Sequence, residues 1–120
     1  MCFETERLRL RPFKETDAKD CFCYAKDPRV GPMAGWKPHK SIEESLETIK
    51  NVLMAPENYA VVLKAENKVI GSIGLKKSEF AKGEDELELG FCIGAKYWGQ
   101  GYATEAAKEI LRHGFEDLHL

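Results

Sequence analysis

Gly94-Ala95-Lys96-Tyr97-Trp98-Gly99-Gln100-Gly101-Tyr102-Ala103-Thr104-Glu105-Ala106 joins an apolar strand pattern to a helix pattern through a loop with two glycines. Behind it, Leu87, Leu89, Phe91 and Ile93 alternate with Glu86, Glu88, Gly90 and Cys92, the period of a strand with one apolar face. Ahead of it, Ala103, Ala106, Ala107, Ile110 and Leu111 share one face of a helix for which Gly114 is the expected stop. A helix leaves the N–H groups of its first turn without intrahelical partners, and its macrodipole places about half a positive charge there. The junction is therefore suited to a phosphate or pyrophosphate. Gly99 and Gly101 admit positive φ and leave the backbone open to a bulky ligand.

Working outward, Arg7-Leu8-Arg9-Leu10-Arg11 alternates charge and leucine, a half-buried strand that Pro12 ends. Thr16 or Asp17 caps a helix toward Ala25, and Asp27-Pro28-Arg29-Val30-Gly31-Pro32 breaks the pattern. Residues 33–40, with Trp36, Pro38 and His39, read as a loop. Ser41 and Glu44 form a capping box for a helix bearing Ile42, Leu46, Ile49, Val52 and Leu53, and Pro56 stops it. Residues 59–64 and 69–75 read as a hairpin about the turn Glu66-Asn67-Lys68. Gly71 and Gly74 within it suggest a bend or a close backbone approach. Residues 80–85 read as a loop. The order is β-α-α-β-β-β-α, an α/β (α+β) chain with a mostly antiparallel sheet, and the 120 residues suffice for one domain, 1–120.

A formal net charge of -2 gives no case for nucleic acid. No apolar run approaches the roughly 18 residues that a membrane helix needs. Charges occupy the N-terminal positions where a secretion signal would be apolar, so the expected compartment is the cytoplasm. Cys2, Cys21, Cys23 and Cys92 show no C-x-x-C spacing, which argues against a zinc site and for free thiols, mostly buried.

Three phosphate ligands compete for the glycine loop. A nucleotide P-loop needs lysine and a hydroxyl after its second glycine, where Tyr102 and Ala103 stand. A dinucleotide fingerprint needs three glycines in a parallel βαβ unit. The third is the pyrophosphate of coenzyme A. Here Lys96-Tyr97-Trp98-Gly99-Gln100-Gly101-Tyr102-Ala103 resembles the acyl-CoA loop, Gln/Arg-x-x-Gly-x-Gly/Ala, of the GNAT superfamily of N-acetyltransferases. The wording Tyr-Trp-Gly-x-Gly-Tyr-Ala-Thr-Glu-Ala is similar to the branch that acetylates ribosomal-protein N-termini. Residues 4–11, Asp27-Pro28-Arg29-Val30 with Trp36-x-Pro38-His39, and residues 88–93 resemble further segments of that branch, in order along the chain.

The resemblance implies a mixed sheet flanked by helices and direct transfer of an acetyl group from acetyl-CoA to a primary amine, on a protein N-terminus or a small molecule. It implies that backbone groups of Gly99, Gln100, Gly101, Tyr102, Ala103 and Thr104 hold the pyrophosphate, with Lys96 adding charge. Phe91, Cys92 and Ile93 would hold the pantetheine arm by strand-like hydrogen bonds, and Trp36 and His39 would border the acceptor. An amine is mostly ammonium at neutral pH and must lose a proton, for which Glu88 is the candidate base and Glu86 the second choice. Cys92 as a covalent acyl carrier lacks a neighbouring histidine. Glu105 reads as charge complementing a helix N-terminus.

The family continues with further strands and a helix, where its general acid usually lies, whereas this sequence ends after the helix that follows the loop. A non-catalytic CoA-binding or interaction module is therefore the alternative reading. The strand at 86–93 would also carry an unpaired edge, which implies a homodimer or larger assembly. No metal, nucleic-acid or membrane partner is expected.

Overall fold

The structure, a computed structural model, describes residues 2–31, 37–77 and 87–116, with positions 76, 77, 87 and 88 described by their backbone. The described strands form one antiparallel sheet whose spatial order is the chain order. They are β1 (Phe3–Glu4), β2 (Leu8–Arg11), β3 (Asn58–Leu63), β4 (Lys68–Lys77) and β5 (Leu87–Ile93). The described α-helices are α1 (Ala18–Ala25), α2 (Ile42–Thr48) and α3 (Tyr102–Glu116). The expected order holds except for β1, in which two residues, too few to show a period, pair with Leu10 and Arg9.

β3 lies in the middle of the sheet and is buried on both faces, which is why residues 59–63 read as a continuous apolar run. Leu8, Leu10, Val61, Ile70, Ile73 and Ile93 turn to the face that α3 covers with Ala106 and Ile110. Ala60, Val62, Val69 and Cys92 turn to the other face, under Cys21, Tyr24 and Ala25 of α1 and Ile49 beyond α2.

Both glycines of β4 answer to close approach. Val61 pairs with Gly71 but Val62 with Val69, so Ile70 is an extra residue and β4 bulges there. A Cβ on Gly71 would lie 2.1 Å from the carbonyl oxygen of Cys92, so only glycine lets β5 close against the bulge. A Cβ on Gly74 would meet Asn58 Oδ1 at 2.3 Å and the Glu57 carbonyl at 2.7 Å.

Two helix ends differ from expectation. Asp17 gives α1 no side-chain cap. It belongs to a 3-10 turn, Glu15–Asp17, and its carboxylate instead accepts from the Lys14 N–H and from both terminal nitrogens of Arg11, each at 2.8 Å. The acid thus ties the end of β2 to the start of α1. Gly114 does not stop α3, which runs on to Glu116. Packing holds this last turn, because the His113 ring lies against Phe3, tilted by 49° with 4.6 Å between ring centres, and its Nε2 lies 2.8 Å from Glu57 Oε2. Ser41 does cap α2, accepting from the Glu44 N–H at 3.1 Å. Beyond Thr48 the helix loosens into a π-turn, Ile49–Leu53. Of the four cysteines, which are unbridged, Cys21 and Cys92 are buried and Cys2 and Cys23 exposed, so burial holds for half of them. Among the described residues no helix is long and apolar enough to cross a membrane.

Candidate functional site

β5 delivers the chain to the glycine loop. The Gly94 N–H donates to the Ile70 carbonyl at 2.8 Å, closing the ladder, and Ala95–Tyr97 makes one 3-10 turn. Trp98 then folds back so that its Nε1–H donates to the Ile93 carbonyl at 2.7 Å. Gly99 and Gly101 follow at φ 78° and 82°, the left-handed region that disfavours a side chain. A Cβ on Gly99 would meet nothing within 4 Å, so that glycine faces open space. The first N–H to bond back in α3 is that of Glu105, to the Gly101 carbonyl at 3.0 Å. The N–H groups of Tyr102, Ala103 and Thr104 therefore have no intrahelical acceptor. They border a cavity of about 270 Å3 whose walls include Ile93, Trp98, Gly99 and Gly101.

A second chain segment fixes this corner. Glu105 accepts from the Arg7 backbone N–H at 2.9 Å, from Arg7 Nε at 2.7 Å and from the Thr5 hydroxyl. Arg7 Nη1 donates to the Gln100 carbonyl at 2.9 Å, and the guanidinium lies 4.5 Å from the centre of the Tyr102 ring. Its Nη2 stands 3.4 Å from where a Cβ on Gly101 would be. Partial burial pushes the Glu105 pKa up, but the hydrogen bonds from Thr5 and Arg7 outweigh it and hold the carboxyl below its ordinary value. Glu105 is thus more than a charge complementing the helix end: it holds the turn between β1 and β2 against the loop. The alternation at 7–11 puts Arg7 in a strand, and no local pattern gives Thr5 a role. The contact spans 98 positions, so local periodicity carries no sign of it.

The backbone of β5 is divided by strand parity. Gly94 bonds to Ile70, and Cys92 and Gly90 stand opposite Ser72 and Gly74, so their backbone groups turn toward β4. Phe91 and Ile93 fall at the alternate positions, and their N–H groups turn to the open edge of the sheet. The Ile93 carbonyl is taken by Trp98, and the Phe91 side chain is 53 % exposed. Of the three residues expected to reach a ligand through their backbone, Phe91 and Ile93 face outward and Cys92 does not. Burial also pushes the Cys92 thiol up to about 12, which keeps it protonated and argues further against a covalent acyl-cysteine.

Other expected residues scatter. Lys96 lies with its ammonium 5.5 Å from the Tyr97 ring centre and lines a separate cavity, of about 240 Å3, against α1. Gln100 is exposed and contributes its carbonyl to Arg7. Glu88 pairs with Lys76 along the β4–β5 ladder, four residues before Cys92 on the same strand. Trp36 and Glu86 fall outside the described residues. His39 stands across the sheet from α3, with Nδ1 2.7 Å from Ser45 Oγ, in a cavity of about 470 Å3 that Ser72 of β4 also lines. Burial, opposed by the charge of Glu44, lowers its pKa, so the imidazole is neutral at pH 7.

An α/β sheet with a glycine loop leading into a helix is shared by many proteins, and the comparison that decides between them covers nearly the whole chain. Residues 7–120 match the Acetyltransferase (GNAT) domain. The chain belongs to the GNAT acetyltransferase family. This GNAT domain is 30 % identical to the uncharacterized N-acetyltransferase p20 of Bacillus licheniformis, over 97 % of the chain and 67 % of the relative. It superposes on the crystal structure of a GNAT-family acetyltransferase from Bacillus anthracis with a TM-score of 0.86 at 30 % identity, covering all of this chain and 69 % of that one. It also superposes on the ribosomal-protein-S5-alanine acetyltransferase of Vibrio fischeri with a TM-score of 0.66 at 24 % identity, covering 100 % and 70 % of the two chains, a likeness of fold. The homology makes the protein an acetyltransferase, and the GNAT domain here spans about two thirds of these relatives' length.

Proposed function

We propose that this acetyltransferase moves an acetyl group from acetyl-CoA to a primary amine by direct attack on the thioester. The observation that carries the reading is the corner where β5 meets α3. There Tyr102, Ala103 and Thr104, whose N–H groups have no intrahelical acceptor, line a cavity beside Gly99, which faces open space, with the Arg7 guanidinium next to Gly101, a geometry suited to a pyrophosphate. The outward N–H groups of Phe91 and Ile93 continue from this corner along the sheet edge, as an extended pantetheine arm requires. The residues present fit the cosubstrate at both ends of that path.

In this reading Glu88 takes the proton from the incoming ammonium, directly or through water. The amine lone pair then attacks the thioester carbonyl, whose developing oxyanion is met by an outward β5 N–H. The C–N bond forms, the C–S bond breaks, the amide nitrogen sheds its second proton, and the thiolate leaves and is protonated. His39 borders the acceptor, a role the family resemblance gives to Trp36 as well, and the protein works in the cytoplasm. Glu88→Gln is expected to lower turnover about 10²-fold or more while leaving acetyl-CoA affinity as it was. Turnover is read by free thiol release with an amine panel, and affinity by calorimetry. Unchanged turnover removes Glu88 from the chemistry. Tight acetyl-CoA binding without thiol release from any amine replaces the enzyme by a binding module.

A further inference from the structure

Lys96, expected beside the pyrophosphate, instead lines the cavity of about 240 Å3 on the α1 face of the sheet. Arg29, from beyond α1, and Lys68, the first residue of β4, line it as well. Three stretches of chain far apart in sequence thus bring cations to one hollow. Their commitments differ. Asp27, also in the lining, accepts from Arg29 Nε at 3.1 Å and from Nη2 at 2.8 Å, so that pair is neutral as a unit. Lys68 and Lys96 pair with no carboxylate among the described residues, and Lys96 lies only over the Tyr97 ring. Asp20, the other acid in the lining, receives the Val69 N–H on Oδ2 at 3.1 Å, and a carboxylate can accept from further donors.

This balance of charge belongs to the cavity itself. Positions 32–36 bear no charged side chain. The acidic stretch 78–86 falls in sequence between Lys77 and Leu87, which pair at the far end of β4, about 30 Å from Lys68. Two ammonium groups around one hollow repel each other, and an anion between them relieves that repulsion. A single carboxylate would compensate only one of them, whereas a phosphate monoester carries nearly two charges at pH 7. The volume falls just short of the range of about 300–1,000 Å3 of drug-sized sites, so the occupant is compact. We propose that this cavity binds a short hydroxylated phosphate monoester, its dianion between Lys68 and Lys96 and a hydroxyl donating to Asp20. The site is separate from the corner at Gly99–Glu105, although Tyr97, buried and donating its hydroxyl to Glu66 Oε1 at 3.0 Å, borders both cavities.

Calorimetry with glycerol 3-phosphate as the probe tests this, with inorganic phosphate for comparison. Lys68→Met should weaken glycerol 3-phosphate about tenfold or more, while Lys68→Arg and Lys108→Met, a control on exposed α3 surface, stay near wild type. Asp20→Asn should narrow the preference for glycerol 3-phosphate over inorganic phosphate, and unchanged melting temperatures will check that the variants fold. Equal affinity for the two probes, or equal losses in Lys68→Met and Lys108→Met, would mean an adventitious ion only and overturn the proposal, as would no binding. A final arm separates the sources of a phosphate monoester. Glycerol 3-phosphate binding that persists under saturating acetyl-CoA supports a separate ligand. Displacement by acetyl-CoA but not by its 3′-dephospho analogue would give the cavity to the cosubstrate's own phosphate and overturn it.

Discussion

The corner at Gly99–Glu105 and the edge of β5 are neighbours along the chain and opposites in construction. The corner is braced by side chains: Arg7 and Thr5, from the turn before β2, hold Glu105, and Trp98 bonds back to the Ile93 carbonyl. Among the described residues no strand pairs with the outer side of the edge, where the Phe91 side chain is exposed and the N–H groups of Phe91 and Ile93 turn outward. The difference teaches that anion binding and acyl transfer need not depend on the same parts of the fold. The corner is assembled before any ligand arrives, whereas an edge strand invites a further strand or an extended ligand arm.

The largest expected effect belongs to the corner. Gly101→Glu places a side chain at φ 82°, 3.4 Å from Arg7 Nη2, and a negative charge where the phosphate would sit. Acetyl-CoA affinity measured by calorimetry should fall on the order of a hundredfold or more, with most secondary structure kept. Undiminished affinity would move the cosubstrate away from the corner and leave the edge as the dominant site.

The corner's cross-brace allows a sharper test. Glu105 puts a carboxylate in the first turn of a helix proposed to receive an anion, and Arg7 neutralises it at 2.7 Å. Arg7→Ala should therefore cost about tenfold in acetyl-CoA affinity, because it uncovers that charge as well as loosening Gln100. Adding Glu105→Gln should recover part of the loss. A purely mechanical brace predicts the reverse, that the double variant binds no better than Arg7→Ala.

Why the corner was largely legible in the sequence, and the edge only in part, has a physical cause. Strand, loop and helix at 87–116 are local patterns, and two glycines at positive φ leave a readable mark. Gly71 and Gly74 were readable as close approaches, but not what approached, since Cys92 and Asn58 come from other strands. The outward turn of Phe91 depends on pairing parity with β4, a register between two strands that the alternation of β5 alone does not reveal. Asp17 carried the composition of a helix cap, yet Arg11, six residues earlier, offers its carboxylate two charge-assisted bonds that a helix end cannot. The clamp of Arg7 on Glu105 and the cavity at Lys96 need the tertiary fold to exist at all.

For the edge, we propose self-association through β5, a prediction that sedimentation equilibrium checks. A concentration-dependent dimer is expected for the wild-type chain, and Phe91→Lys should shift it toward monomer, since an exposed lysine blunts edge pairing. A monodisperse wild-type monomer would mean that the open edge is not self-complementary.

The smallest effect is on stability against acid. The Glu105 carboxyl is held below its unfolded value of about 4.3, so the folded state binds its proton more weakly than the unfolded state does. Its stabilisation is complete above that unfolded value and is lost as the pH falls through the lowered folded value. Asp17, held low by Arg11 and Lys14 against the opposing effect of burial, acts in the same direction, so the wild-type chain should lose stability steadily below about pH 4.5. Glu105→Gln keeps an oxygen for Thr5 but carries no titrating charge. It should be less stable at pH 7 and lose less on acidification, so that the two melting curves converge once the pH has fallen below the lowered Glu105 value. Parallel curves would mean that Arg7 and Glu105 meet without coupling. The corner would then owe its shape to Trp98 and the backbone turns, and its likeness to the unbraced edge would be closer than its hydrogen bonds imply.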